Sequence, residues 1–242
     1  MTDTAWLSRT ELLLGRQNLE KLMSAHVLVL GMGGVGSFAA EFIARSGAGR
    51  MTIVDGDIID PSNRNRQLPA LATNHGQSKV QLMAERLQAI NPELQLRVVN
   101  EFIRPEAIAR LLDTDAQYVI DAIDSITPKI TCIQTALQKG MTIVSSMGAG
   151  GRLDPAQITV ADISKTYNCP FAQQVRKQLK GLGIRKGFKA VFSAEQPGKE
   201  ALMHTDGSNF KKSAYGTISY LPAMFGATAA SVVIRSIIDE PA

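Results

Sequence analysis

The sequence predicts an α/β fold: a Rossmann-like, doubly wound, mostly parallel sheet. Three observations carry this. Short apolar runs alternate with segments of helical periodicity, a glycine turn (Gly31-x-Gly33-x-x-Gly36) joins the first run to a helix, and an acidic residue, Asp55, ends the second run. A chain of 242 residues suits one extended α/β domain.

Taken in order, residues 9–22 read as a helical stretch, and Val27-Leu28-Val29-Leu30 is the first strand. The glycine turn then opens a helix over about 35–46. Residues 51–54 form a second short strand closing on Asp55. After a polar loop, Val80, Met83, Leu87 and Ile90 step by three or four residues as one helix face. Residues 96–99 and 118–120 are further strands, each followed by a helical pattern, and 142–144 is another. Alternation at this length gives right-handed βαβ units. Past Gly151 the rhythm changes to a strand at 157–160, a basic segment, a strand at 190–192 and an uncharged stretch over 213–234. Tyr215, Gly216, Pro222 and Gly226 interrupt that stretch, so only 223–234 reads as continuous helix. It is too short and too rich in Ala, Ser and Thr to span a bilayer, and is expected to be a buried helix. No linker separates a second domain. The expectation is one domain over 1–242, with a nucleotide-binding core at 1–150 and an extension at 151–242 on the same sheet.

Composition narrows the function classes. A hydrophobic fraction of 45% with 20% charged residues excludes disordered and fibrous readings. Aromatics at 5% argue against a surface built from stacking platforms. The net charge of +4 permits an anionic partner without requiring one. Cys132 and Cys169 form no Cys-x-x-Cys pair, so neither a disulfide framework nor a four-thiolate zinc knot is available, and a reducing cytoplasm is the default. Asp3, Arg9, Glu11 and Arg16 leave no apolar core for a signal peptide. His26, His75 and His204 share no metal-ligand spacing and read as structural. Cys132 lies in a helical pattern as a small buried hydrophobe, whereas Cys169, before Pro170, is expected to be more exposed.

The glycine turn follows a strand and opens a helix, the context in which backbone amides and a helix N-terminus receive a phosphate or ribose. Asp55 stands where a carboxylate accepts hydrogen bonds from a ribose. Asn63-Arg64-Asn65-Arg66-Gln67 follows, with Lys79 at the start of the next helix. Converging cations are what a triphosphate requires before a nucleophile attacks. Asp121 and Asp124, ending the strand at 118–120, offer carboxylates at the sheet's C-terminal edge, where magnesium on the phosphates is held. Singly, these are a solvated loop and a helix cap; jointly they favour ATP over NAD.

Residues 31–37, Asp55-Gly56-Asp57, residues 63–67, Lys79 and residues 119–125 together resemble the adenylating enzymes of the ubiquitin-activating E1 superfamily. Within it, Val119 to Ser125 with Pro128-Lys129, then Gly148-Ala149-Gly150-Gly151-Arg152-Leu153-Asp154-Pro155, Lys165-Thr166 and Val191-Phe192-Ser193-Ala194-Glu195 are similar to the tRNA threonylcarbamoyladenosine dehydratases. The resemblance implies ATP and Mg2+ as cofactors. It places Gly31, Gly33, Gly34, Gly36, Asp55, Asp57 and Asn63 at the nucleotide, Arg66 and Lys79 on its phosphates, and Asp124 on magnesium. It implies a homodimer in which Arg9 reaches the neighbouring active site. The reaction it implies is adenylation of the threonyl carboxylate of the modified adenosine beside the anticodon, then ring closure with loss of AMP. The ring-closing oxygen or nitrogen belongs to the substrate, so positioning and charge stabilisation suffice. A sulfur-relay partner, a cysteine desulfurase or its sulfur acceptor, is compatible with the resemblance.

Two departures matter. Relatives that activate sulfur-carrier proteins commonly hold zinc between two Cys-x-x-Cys pairs, which this chain lacks, and Ser213-Ala214-Tyr215-Gly216 lacks the cysteine some dehydratases carry there. Arg176, Lys177, Lys180, Arg185, Lys186 and Lys189 fall in one stretch without an acidic residue. Alone, this reads equally as a solvated surface; beside an ATP site in a dehydratase-like chain, contact with tRNA phosphates is the better reading, with Phe188 and Phe210 as candidates for base stacking. Adenylation of a sulfur-carrier protein and an NAD-linked or non-catalytic binding module remain the rivals.

Overall fold

The computed structural model describes residues 4–204 and 213–239, so Phe210 lies outside the described residues. A 3-10 turn, Ala5–Leu7, leads into α1 (Ser8–Leu14) and α2 (Arg16–Ser24). The stretch read as one helix is therefore two, parted at Gly15, which ends α1 with a positive φ of 80°. β1 (His26–Leu30), α3 (Gly36–Arg45), β2 (Arg50–Val54), α4 (Lys79–Ile90), β3 (Gln95–Val99), α5 (Pro105–Leu111), β4 (Tyr118–Asp121), α6 (Ile126–Gln138) and β5 (Thr142–Ser146) follow in alternation. Then come β6 (Ile158–Asp162), α7 (Pro170–Gly181), β7 (Lys189–Ser193), the short pair β8 (Leu202–His204) and β9 (Ser213–Tyr215), and α8 (Tyr220–Asp239).

Seven strands form one sheet in the order β3-β2-β1-β4-β5-β7-β6. All neighbours are parallel except β6 on β7. The chain builds outward from β1 through β2 to β3, then returns to place β4 on the other flank of β1. This reversal opens a crevice beyond the carboxyl ends of β1 and β4, where doubly wound sheets bind ligands. The register puts Leu30 beside both Val54 and Asp121, so the turns after β1, β2 and β4 leave the sheet at one level.

Successive residues of a strand face opposite sides, and β1 is buried throughout. Val27 and Val29 join one core with Ala40 and Ile43 of α3, Met83 of α4 and Phe225 of α8; Leu28 and Leu30 join the other with Ile108 of α5, Ile133 of α6 and Val175 of α7. α8 exceeds the 12 residues read from the sequence: Pro222 falls in its first turn, where a missing N–H costs nothing, and Gly226 sits inside it. That glycine is a packing device. A Cβ there would come within 2.4 Å of the Val35 carbonyl oxygen, so only glycine lets α8 lie against the start of α3. By length and composition α8 is apolar enough to cross a membrane, but half of its most apolar window is buried.

Three sequence expectations are corrected by packing. Cys169 is buried rather than exposed, and Phe188 belongs to the core instead of a stacking surface. Asp121 does not face a metal. It is fully buried against the equally buried Lys129, whose Nζ donates to Asp121 Oδ2 at 2.7 Å, to Ser145 Oγ at 3.2 Å and to the Ser146 carbonyl at 3.0 Å. Ser145 Oγ donates to the same Asp121 oxygen at 2.6 Å, and the Ile123 N–H binds the other at 3.0 Å. Breaking a buried pair from one side strands the remaining charge. Lys129→Met should therefore lower stability by about 3–5 kcal/mol, and adding Asp121→Asn should recover part of that loss, as read from urea midpoints. A change below about 1 kcal/mol in the single variant would show that the pair does not hold the strand ends together.

Candidate active site

Beyond the carboxyl ends of β2, β1, β4 and β5 lies a cavity of about 530 Å³, within the usual size of small-molecule and cofactor sites. Its side toward β2 is the glycine turn. Gly31, Gly33 and Gly34 line it, whereas Gly36 is buried beneath the turn. A Cβ on Gly36 would meet the Gly31 carbonyl oxygen at 1.8 Å, so this glycine serves the close seating of α3 rather than ligand contact.

Asp55 is buried at the head of the turn after β2 and accepts hydrogen bonds from the backbone N–H of Met32 at 2.6 Å and of Asp57 at 2.7 Å. Burial holds its carboxyl above the usual range, while the Lys79 ammonium and these two N–H groups pull it back. The carboxylate thus couples the two turns and still lines the cavity.

The cations converge there too. Lys79 is buried at the first position of α4, with Nζ 2.9 Å from Asp57 Oδ2, and Asp57 is half-exposed. Arg66 lines the cavity while its Nη1 donates to the Ser62 carbonyl and to Asn65 Oδ1, each at 2.9 Å. Asn63 lines the cavity as well, but its Oδ1 accepts the Asp60 N–H and closes the 3-10 turn Pro61–Asn63, so part of its work is local. Asp124 is exposed in the loop between β4 and α6 and faces the same space. Arg9 is exposed on α1 and does not line the cavity of its own chain.

The side toward β5 is formed by Ser146 to Gly150, Arg152, Phe171 and Tyr215. Sequence reasoning assigned none of these a role in the site, nor Gln67 and Arg104 on the β2 side. The signal for Arg104 is its position: it follows β3 at the same edge of the sheet and precedes Pro105, the first residue of α5. A second hollow of about 550 Å³ shares Pro170, Pro197 and Tyr215 with the cavity and adds Asn168, Gln173 and Arg176. It leads toward the basic segment. Lys177 and Lys180 are exposed on α7, Arg185 and Lys186 in the loop after it, and Lys189 at the start of β7. Arg176 differs: its guanidinium turns inward onto the carbonyl and hydroxyl oxygens of Thr166. His26 is structural, held between Asp115 and Thr52.

The comparisons with known proteins reach beyond the nucleotide half. The model of the ThiF family matches residues 7–242. The tRNA threonylcarbamoyladenosine dehydratase of Bacillus subtilis (strain 168) is 46% identical over 78% of this chain and 75% of its own length. That of Escherichia coli (strain K12) is 37% identical over 98% of this chain and 96% of its own. The E. coli enzyme solved in complex with ATP superposes with a TM-score of 0.88 at 37% identity, covering 98% of this chain and 97% of that one. With the whole sheet, the glycine turn and the segments on both sides of the cavity inside these matches, the chain belongs to the ThiF family.

Proposed function

We propose that this protein is an ATP-dependent tRNA threonylcarbamoyladenosine dehydratase of the cytoplasm. The observation that carries the reading is the near full-length likeness to enzymes of that name, which includes the β5 side of the cavity and not only the nucleotide turn. Adenylation of a sulfur-carrier protein is the weaker reading, because α7, which lines the hollow beside the cavity through Gln173 and Arg176, also carries the exposed Lys177 and Lys180, which suit RNA phosphates.

In this reading the chemistry divides among few groups. Asp55 accepts from the ribose, the glycine turn admits the phosphates closely, and Arg66 and Lys79 neutralise them, Asp57 holding Lys79 in place until a phosphate arrives. A carboxylate oxygen of the substrate attacks the α-phosphorus and pyrophosphate leaves. A nucleophile within the substrate then closes on the acyl carbon and AMP leaves, so the substrate has lost the elements of water. No protein nucleophile is needed. Burial pushes the Cys132 thiol well up, so it is not poised to attack. The reaction as written needs no sulfur-relay partner.

Magnesium fits the donor set as a companion of ATP. No group of three or more His, Cys, Asp or Glu gathers into a cage among the described residues, and magnesium is commonly held by one or two carboxylates with substrate phosphates. Asp124 would hold it, and the ion would draw charge from the phosphates. For the dimer, the support lies on α1: this helix buries none of its residues, Leu12 is 84% and Leu13 82% exposed, and Arg9 shares their helix. Two such faces meeting would carry Arg9 toward a neighbouring site.

The decisive experiment is mass spectrometry of nucleosides from tRNA incubated with the protein and ATP. Conversion of threonylcarbamoyladenosine to a product lighter by one water is expected; an unchanged nucleoside alongside adenylation of a carrier protein would overturn the reading. Asp124→Asn, Arg66→Ala and Lys79→Ala should each slow pyrophosphate release about a hundred- to thousandfold with the fold intact. Near-normal release in any of them would remove that residue from the clamp.

Replacing Lys177, Lys180, Arg185 and Lys186 with Gln should weaken tRNA binding and flatten its salt dependence. The log–log slope should fall by roughly 0.7–0.9 for each phosphate no longer neutralised, with ATP affinity unchanged. An unaltered slope would return this face to plain solvation. The dimer is tested by mixing inactive Arg9→Ala and Asp124→Asn chains. If Arg9 acts across the interface, subunit exchange assembles one whole site and activity reappears. Verified heterodimers that stay inactive would reject the cross-subunit role.

A further inference from the structure

The β5 side of the cavity holds a positive charge without a counter-charge among the described residues. Arg152 is 4% exposed and lines the same cavity as Gly33, Arg66 and Asp124. Its Nε donates to the Glu195 carbonyl at 2.8 Å; its Nη1 donates to the Gly148 carbonyl and lies 3.4 Å from that of Gly150. All three partners are neutral backbone oxygens. The Glu195 carboxylate is engaged elsewhere, accepting the N–H groups of Leu153 and Asp154 at 3.0 and 2.8 Å. The remaining nitrogen, Nη2, is buried with no hydrogen-bond partner among the described residues.

Burying an ionised group with neither a counter-charge nor a full set of hydrogen bonds is costly, and arginine cannot escape by losing its proton. The unpaired arm is covered by its neighbours, and a small turn of the side chain at the cavity wall would relieve it on an anion. Two anions enter this cavity under the proposed function, on which the present inference rests: the triphosphate and the substrate carboxylate. The triphosphate already has Arg66, Lys79 and the glycine turn on the β2 side. Arg152 stands with Ser146 to Gly150, at the end of β5, on the side that opens toward the second hollow.

We propose that Arg152 is a substrate-binding residue whose free Nη2 receives the carboxylate that is to be adenylated. Guanidinium and carboxylate match in charge and planar geometry, so the contact both anchors the acid and turns one of its oxygens toward ATP. Because the carboxylate loses its charge as the acyl-phosphate bond forms, the contact is strongest before reaction. Its removal is therefore felt in KM more than in kcat. The other two arms of the guanidinium tie the glycine segment 148–150 to Glu195, which fixes the height at which the acid sits.

The experiment must separate this contact from that tie. Two anticodon stem-loop RNAs serve as probes, one carrying threonylcarbamoyladenosine and one its carboxamide, which keeps the shape and removes the charge. Without ATP, the wild-type protein should bind the acid about ten- to a hundredfold more tightly than the amide, the range for a charge-assisted hydrogen bond. In Arg152→Gln this preference should fall to within about threefold while ATP affinity stays unchanged. Mere loosening of the glycine segment would weaken both RNAs equally and leave the ratio intact, which would overturn the proposal. So would a wild-type protein without preference, or a variant that loses ATP affinity and keeps the preference, which would make Arg152 a phosphate ligand. If Arg152→Gln does not fold, Arg152→Met, which keeps the length of the side chain and removes its charge, decides by the same ratio, and a preference equal to wild type overturns the proposal. Failure of the parent reading shows separately: the wild-type protein with ATP would leave the acid-bearing RNA unchanged in mass.

Discussion

The Lys129 ammonium lies where water does not reach, and three elements are arranged around keeping it satisfied. It reaches from α6 to Asp121 at the end of β4 and to Ser145 and Ser146 at the end of β5. The two loops that continue from these strand ends carry Asp124 in one case and the glycine segment with Arg152 in the other. A buried ionic network of this kind contributes little net stability compared with an apolar replacement, but it tolerates few alternative geometries. Here that narrow tolerance fixes the ends of β4 and β5, from which both loops start.

How much of this was legible beforehand depended on range. The parallel strands, the glycine turn and Asp55 were visible because each is a local pattern: a short apolar run, a turn that needs small residues, a carboxylate one strand later. From the residues alone the roles of Asp121 and Asp124 were not separable, since two carboxylates three residues apart look alike until the pairing of one with Lys129 is known. α8 was underestimated because Pro222 and Gly226 read as breakers; the first falls where a helix tolerates proline, and the second is demanded by the neighbouring α3. Arg152, Phe171 and Tyr215 meet only through the tertiary fold, and nothing in their spacing announces it.

The site also shows a division between charges that are held and charges that are offered. Lys79 is buried against Asp57, Arg66 is tethered to Ser62 and Asn65, and Arg176 is turned onto Thr166. Each is positioned by a partner within the chain, which under the proposed function reduces the ordering cost of binding an anion. The exposed lysines of α7 have no such restraint among the described residues. They suit a partner whose phosphates are recognised by charge rather than by position.

The seating of α8 has a consequence for how the protein is made. Gly226 brings this helix onto the start of α3, and Pro222 lies against Gly34, where a Cβ would stand 3.0 Å from it. The glycine turn is therefore backed by an element that, among those described, leaves the ribosome last. A nascent chain can possess β1, the turn and Asp55 long before the surface that steadies them exists. A chain cut short before α8 would lack the surface on which the glycine turn rests, however intact its amino-terminal half, so under the proposed function nucleotide binding is a property of the finished molecule.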